Sequence, residues 1–159
     1  MRVEAVPRPD GIAVGGVRFG ALVHAVLALV PLDASAETVA AVAAQQARIL
    51  AAEAAEIDAA ARVVSGALAH AAFAPLRDAA GRGTLRREIP VAVSEPTGAI
   101  VEGVVDAAFE TEAGWVVVDF KTDADPGAAL DAYLGQVRLY ARAIATATGR
   151  SAAGLLLRL

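Results

Sequence analysis

Apolar residues recur at helical spacing through the first half of the chain and at extended, alternating spacing through much of the second half. An apolar stretch predicts a first helix over Arg18–Val30, which ends at Pro31. The next segment, Ala34–Ala80, is rich in alanine, the best helix former, and we expect two or three helices there. Their apolar stripe consists of Val39, Val42, Ile49, Ile57, Val63, Val64 and Leu68.

The pattern changes at Gly81, after which three runs have the composition and spacing of β-strands. Turn-forming residues at 94–98 and 111–114 separate these runs. The predicted strands are Leu85–Val93, Ala99–Glu110 and Trp115–Lys121.

A second long helix follows the strands. Asp125 is its predicted N-cap, Pro126 suits the first helical position, and Gly149 is the predicted stop. A short final strand is expected over Leu155–Leu159. The predicted order is therefore helix, helical insert, three strands, helix and strand, which is an α/β fold.

Composition narrows the class of protein. The 159 residues match one domain of ordinary size. Although 57% of the residues are hydrophobic, 41 are alanines, and the longest strongly apolar stretch, Ala21–Pro31, is far shorter than the roughly 20 residues of a membrane span. The N-terminus carries charges where a secretory signal would be apolar, so we expect a cytoplasmic protein with no membrane partner.

Charge and cysteine content limit the chemistry. A net charge of −4 argues against holding nucleic acid through a broad basic surface, but it allows carboxylates to recruit a metal ion. The absence of cysteine excludes disulfides, a cysteine nucleophile, thiolate zinc sites and cysteine-ligated iron–sulfur clusters. Thirteen of the 14 basic residues are arginine, so the single lysine, Lys121, favours a chemical role.

The second and third predicted strands form a hairpin that brings carboxylates together. If Glu110 pairs with Trp115 across a four-residue loop, Asp106 lies directly opposite Asp119, with Cβ atoms roughly 4.5–5.5 Å apart. Alternation puts Lys121 on the same face as Asp119. Two facing carboxylates repel each other, and a divalent cation that prefers oxygen ligands, such as Mg²⁺, Mn²⁺ or Ca²⁺, would compensate.

A simpler interpretation of these acids stays open. Asp106 and Asp119 would then point to solvent and pair with Lys121 or an arginine, as most surface carboxylates do. Against it, Asp119 follows three valines and precedes Phe120, in a run that has the pattern of a strand buried on both faces.

Two further candidates are ambiguous on spacing alone. A single histidine on an apolar helix, His24, is more often a core residue than a ligand, although Gly20 one turn earlier permits a close approach. Gln136 and Tyr140 share one helix face, where ordinary packing is the simpler interpretation.

Five motifs resemble, in order, those of the PD-(D/E)xK nuclease superfamily. The chain is most similar to the RecB-like exonuclease V group and, within it, to the C-terminal nuclease domain of AddA-type helicase–nucleases. The similarity extends from about Val17 to Leu159. The motifs are Gly20–His24, Arg87–Pro90, Gly103–Asp106, Val117–Thr122 and Gln136–Tyr140.

The resemblance implies a restriction-endonuclease-like core of order α-βββ-α-β, a mixed sheet flanked by helices, with a helical insert over about 34–80. It implies that Asp106, Asp119, the backbone carbonyl of Phe120 and His24 bind Mg²⁺ or Mn²⁺. Lys121 would orient or activate the attacking water. No iron–sulfur cluster is expected, since the relatives that carry one need cysteines.

The resemblance also implies DNA as the substrate. Gln136 and Tyr140 would contact the DNA strand or support the lysine, and Glu88 would assist at the metal unless it only pairs with Arg86 or Arg87. The chain would be the nuclease part of a helicase–nuclease that processes double-strand breaks, with a helicase module in the same parent chain and a second subunit.

Other functions stay open at this point. The sequence contains no Gly-x-x-x-x-Gly-Lys phosphate loop, so a motor would have to lie elsewhere. The domain could be a catalytically silent scaffold or DNA-guiding module, although the presence of Asp106, Asp119 and Lys121 argues against a decayed site. A stand-alone endonuclease or resolvase with the same core is the third alternative.

Overall fold

A computed structural model describes residues 1–94, 98–123 and 127–159. Single-turn 3₁₀ helices occur at Ala71–Phe73 and Gly127–Ala129. The elements, in chain order, are β1 (Arg2–Ala5), α1 (Val17–Leu29), α2 (Ala36–Leu50), α3 (Ala54–Ala69), α4 (Ala74–Gly81), β2 (Leu85–Ser94), β3 (Ile100–Thr111), β4 (Gly114–Lys121), α5 (Leu130–Thr148) and β5 (Ala152–Arg158).

The backbone divides into two compact units. The sheet unit comprises Met1–Glu4, Ala79–Phe120 and Asp125–Leu157. The helical unit comprises Ala5–Asp78, Lys121–Ala124 and Arg158–Leu159. Because strand β4 passes from one unit to the other between Phe120 and Lys121, the division does not follow the order of the chain. The expectation of a single domain stays a prediction.

The five strands form one mixed sheet in the order β1-β5-β4-β3-β2. Strands β2, β3 and β4 are antiparallel neighbours. The N–H of Trp115 donates to the carbonyl of Ser151 at 2.8 Å, and the N–H of Leu159 donates to Lys121 at 2.8 Å, so β5 runs parallel to β4. The predicted α/β class and the predicted order of the main elements are confirmed; β1 is an additional strand that the sequence did not predict.

Helix α5 covers part of the sheet unit. Its Tyr140, Ala141 and Ile144 are buried in one cluster with residues of β3 and β4. The α-helix begins at Leu130, after a 3₁₀ turn, and ends with Gly149 in the left-handed conformation at φ 67°. The predicted start at Asp125 and Pro126 lies outside the described residues, as do positions 95–97 of the predicted turn.

The helical unit has its own apolar core. Helices α1, α2 and α3 contact one another, and α1 buries Phe19, Leu22, Val23, Val26 and Leu27 at helical spacing. Ser35 caps α2 by accepting a hydrogen bond from the N–H of Thr38. The predicted helical insert over 34–80 is therefore present as α2, α3, the 3₁₀ turn and α4.

The helices are short relative to a bilayer. In the part of the chain that the structure describes, no single helix is long and apolar enough to cross a membrane; only Ala54–Ala69 and Ala71–Gly81 taken together, across a bend of 71°, have the necessary length and hydropathy.

Candidate active site

The register of the β3–β4 hairpin decides which side chains meet. Glu110 pairs with Trp115, as predicted, and the pairing continues to Ala107 opposite Val118. Thr111 and Gly114 also pair, so the loop has two residues and not the four that the sequence indicated. The register is unchanged, because adding one pair at the turn shortens the loop from both sides.

The same register puts Asp106 opposite Asp119, one step beyond Ala107 and Val118. At this step the Asp106 side chain takes part in the bonding between the strands: its Oδ2 accepts a hydrogen bond from the N–H of Phe120 at 2.7 Å. Asp119 is only 3% exposed, and Phe120 is 4% exposed. Asp106 is thus held against β4, next to a buried carboxylate.

A third acid extends the arrangement onto β2. The β2–β3 pairing includes Arg87 with Ala107 and Ile89 with Val105, and between them Glu88 stands opposite Asp106. Glu88 is exposed and has a φ of 52°, a left-handed conformation that non-glycine residues adopt infrequently. Glu88, Asp106 and Asp119, here called the acid row, therefore occupy successive strands at one level of the sheet.

The alternation of side chains is broken at the acid row. Val105 and Ala108 are three residues apart and would point to opposite faces of a regular strand. Both nevertheless pack in one cluster with Tyr140 of α5, so β3 changes its facing between them, where Asp106 lies. Strict alternation missed this kink; the available signal was three consecutive polar residues, 86–88, in an otherwise alternating strand.

The electrostatics of the acid row are unfavourable by themselves. Two carboxylates that face each other disfavour simultaneous ionisation unless a cation compensates. Arg87, adjacent to Glu88 in β2, supplies one cation: partial burial lowers the pKa of its guanidinium, the Glu88 charge opposes that shift, and an arginine stays protonated in either case. Lys121, half-buried, is the last residue of β4, two positions after Asp119.

The donor atoms suit a hard divalent cation. Across residues 1–94, 98–123 and 127–159, no three His, Asp or Glu side chains form an arrangement that would itself enclose a metal ion. Mg²⁺ does not require one, because it keeps several waters and binds through one or two carboxylates. Asp106 and Asp119, together with the Phe120 carbonyl as a further oxygen, fit such a cation by type.

Two of the motifs interlock on the far side of the acid row. A Cβ atom on Gly103 would lie 2.5 Å from the hydroxyl oxygen of Tyr140, so the ring occupies the space that a side chain would need. Gln136 Nε2 donates to the same hydroxyl at 2.9 Å. Because Tyr140 is only 6% exposed, this contact fixes α5 against β3. A DNA contact by Gln136 or Tyr140 stays a prediction.

His24 lies on α1 in the helical unit and is half-buried. One turn earlier, a Cβ on Gly20 would lie 3.0 Å from Oγ1 of Thr122, the residue after Lys121. Gly20 therefore permits the close approach that the sequence predicted. The role of His24 as a metal ligand stays a prediction. His70, interpreted as structural, accepts a hydrogen bond from Ala72 at the start of a 3₁₀ turn.

Comparison with known proteins defines the class. The family model of the PD-(D/E)XK nuclease superfamily matches residues 2–158, and the chain belongs to that superfamily. The mixed sheet, with three antiparallel strands and a parallel fourth, is the expected restriction-endonuclease-like core.

Two curated relatives are more specific but cover little of the chain. Both carry the same name, which describes the first of the lettered subunits of an ATP-dependent helicase/nuclease. The relative from Heliobacterium modesticaldum is 40% identical over 60 residues, or 32% of this chain. The relative from Moorella thermoacetica is 42% identical over 52 residues, or 33% of this chain. Each match spans only 4% of the relative's own length.

Proposed function

We propose that this chain is a metal-dependent DNA nuclease domain that hydrolyses phosphodiester bonds at the acid row. The observation that carries the proposal is the pair Asp106 and Asp119, opposite each other where the strand pairing is interrupted, with the single lysine two positions further along β4. Membership of the nuclease superfamily supports the reaction class.

Asp106, Asp119, the Phe120 carbonyl and His24 are the proposed ligands of Mg²⁺ or Mn²⁺. Such a cation, when bound, lowers the pKa of coordinated water and neutralises negative charge on the phosphate in the transition state. Asp106 has a second task, since its hydrogen bond to the N–H of Phe120 holds β3 against β4 beside the site.

Lys121 orients the attacking water and stabilises the charge that develops on the phosphate. A lysine suits this task better than an arginine, because its ammonium is a compact charge with three rotatable donors, whereas a guanidinium is planar and permanently charged. Glu88 assists from β2. Gln136 and Tyr140, joined by their hydrogen bond, contact the DNA strand or support Lys121.

The names of the curated relatives support the wider context. Residues 1–159 would form one nuclease domain of a longer helicase–nuclease, with the helicase module in the same parent chain. Such an enzyme would work with a second subunit in the repair of double-strand breaks by recombination, in the cytoplasm. The chain itself lacks a phosphate-binding loop, so ATP hydrolysis would belong to other residues.

The decisive experiment is the replacement of Lys121 by alanine. The purified chain should degrade single-stranded or end-bearing DNA with Mg²⁺ or Mn²⁺, and Lys121→Ala should lower the rate by at least about 100-fold because transition-state charge is no longer stabilised. Circular dichroism and thermal melting should show that the variant still folds.

Arg48→Ala is the matched control. Arg48 is an exposed cation near the end of α2, so its removal changes the net charge equally without touching the acid row. We expect wild-type rates from it. Undiminished activity in Lys121→Ala, or a metal-independent rate in the wild type, would contradict the proposed mechanism and favour a silent or DNA-guiding module.

A further inference from the structure

Arg8 reaches two backbone carbonyls at the end of the sheet where Lys121 lies. It follows β1 and is half-buried in the helical unit. Its Nη2 donates to the carbonyl oxygen of Thr122 and, at 3.1 Å, to that of Leu159. Its guanidinium carbon is 5.7 Å from the ring centroid of Phe19, which is fully buried in α1. A cation over a buried aromatic ring is further stabilised there.

Leu159 closes the network from the other side. Its N–H donates to the carbonyl of Lys121 at 2.8 Å, while its own carbonyl accepts from Arg8. The carbonyls of Lys121 and Thr122, the two that bracket the next peptide unit, are therefore held by Leu159 and Arg8 respectively. One side chain thus connects the ends of β4 and β5.

This end of β4 needs support from outside the hairpin. The backbone pairs between β3 and β4 extend only to Val118, three positions before Lys121, and Asp106 adds a side-chain bond at Phe120. Arg8 supplies the next fixed contact along the strand. Arginine suits the position because its planar fork offers several donors in a rigid arrangement, so one side chain can bind two carbonyls.

We propose that Arg8 is a positioning residue of the nuclease site, which fixes the backbone around Lys121 by binding the carbonyls of Thr122 and Leu159. The inference rests on the proposed role of Lys121. Arg8 touches neither the acid row nor the substrate, so its loss should misplace the lysine without removing a substrate contact. A displacement of about 1 Å at a reacting group lowers the rate by up to about 100-fold.

Arg150 provides a matched control at the opposite end of the same strand pair. Its Nη2 donates to the carbonyl of Thr111 at 2.9 Å, and its Nη1 forms an ion pair with Glu110 at 3.0 Å. Like Arg8, it binds backbone beside an end of β4. Arg150→Met should therefore reproduce the general cost of losing such an arginine without disturbing Lys121.

The first measurement does not depend on activity. Amide hydrogen exchange at Leu159 should be faster in Arg8→Met than in the wild type by at least about tenfold, because the partner of its carbonyl is gone. Since Lys121 is the only lysine, reductive methylation with ¹³C-formaldehyde labels that side chain and the N-terminal amine alone. The Lys121 methyl signal should shift toward its unfolded position in Arg8→Met and stay in place in Arg150→Met.

The second measurement is steady-state hydrolysis of end-bearing DNA by the 159-residue chain. Arg8→Met should lower kcat by about 10- to 100-fold and leave KM within a factor of about two. Arg8→Gln, which keeps one amide donor, should recover part of kcat. It also serves as the test variant if Arg8→Met does not fold.

Each outcome decides the proposal. A lower kcat with constant KM, together with a shifted Lys121 signal, supports it. It is overturned if the Lys121 signal and Leu159 exchange respond no more than in Arg150→Met, or if they respond while kcat stays constant. If the wild type cleaves no DNA, the proposed function fails and the positioning role with it, whereas the exchange data still show whether Arg8 holds this backbone.

Discussion

Two carboxylates are buried within the described residues, Glu56 in the helical unit and Asp119 in the sheet unit, and their surroundings differ in kind. Glu56 accepts hydrogen bonds from Arg18 Nε at 2.8 and 3.1 Å. It also accepts the N–H of Glu53, the residue before α3, at 2.8 Å. The Arg18 bond, with help from the Glu53 N–H, holds the pKa of Glu56 below its ordinary value.

Asp119 is buried to a similar degree but lies opposite another carboxylate. Its position faces Asp106 in the β3–β4 register, in a row that continues to Glu88 on β2. The fold therefore supplies Glu56 with the cation and the N–H that a buried acid requires, whereas it sets the acids of the row side by side. The first arrangement serves stability; the second is explained by a bound cation, as proposed above.

The largest expected effect is that of Asp119→Asn. Asparagine keeps the shape of the side chain and removes the charge, so metal-dependent DNA hydrolysis should fall by more than about 100-fold. Calorimetric titration with Mg²⁺ or Mn²⁺ should show strongly weakened binding. In the presence of a chelator, however, the variant should melt no lower than the wild type, because repulsion by Asp106 is relieved.

Glu56→Gln is the control for that experiment. It removes the other buried carboxylate, and we expect it to bind metal and cleave DNA like the wild type while it melts at a lower temperature. Equal metal binding by Asp119→Asn and the wild type would show that the hairpin carboxylates are not the site, and the contrast between the two acids would disappear.

A steric change next to the acid row should have the next largest effect. In Gly103→Ala, the new methyl group would overlap the Tyr140 ring, and the strand or α5 must move. We expect a loss of about 1–3 kcal/mol in the free energy of unfolding, measured by urea denaturation.

Gly135→Ala on α5 is the matched control. A Cβ there meets no atom within 4 Å, and alanine favours the helix, so this change should stabilise the protein by about 0.5–1 kcal/mol. Equal stability of the two alanine variants would mean that Tyr140 does not need the space above Gly103.

The acid of the helical unit should reveal itself through pH. The pKa of Glu56 lies below its unfolded value, so its contribution to stability is fully present above the unfolded glutamate pKa of about 4.3 and is lost as pH falls through the lower, folded value. Between about pH 7 and pH 3 the wild type should therefore lose stability that Glu56→Gln never had, and their melting temperatures should converge. Parallel pH profiles would contradict this assignment.

Local sequence signals were sufficient for much of the sheet. The three central strands were predicted to within two residues at each end, since alternating apolar residues and flanking turn residues define them locally. The opposition of Asp106 and Asp119 followed from the register alone. An error in loop length did not matter, because the loop has two residues but keeps the same centre.

Features that depend on distant contacts were not predictable in this way. Strand β1 is only four residues long, and the hydrogen bond that follows it, from Val6 to Arg158, joins opposite ends of the chain. The kink at Glu88 contradicts strict alternation. Arg8 gave no signal, because its partners Thr122 and Leu159 are more than 100 positions away. Propensity and spacing carry no information about such contacts.

The smallest expected effect separates the two glutamates of the helical unit. Glu53 also binds Arg18, at 2.9 Å, but its side chain is 76% exposed, against 8% for Glu56. Water and salt screen an exposed pair, so Glu53→Gln should change the free energy of unfolding by no more than about 0.5 kcal/mol. Thermal melting at low and high salt would measure it. If Glu53→Gln proved as damaging as Glu56→Gln, burial would not be what distinguishes structural carboxylates here, and the argument that sets Asp119 apart would lose its reference point.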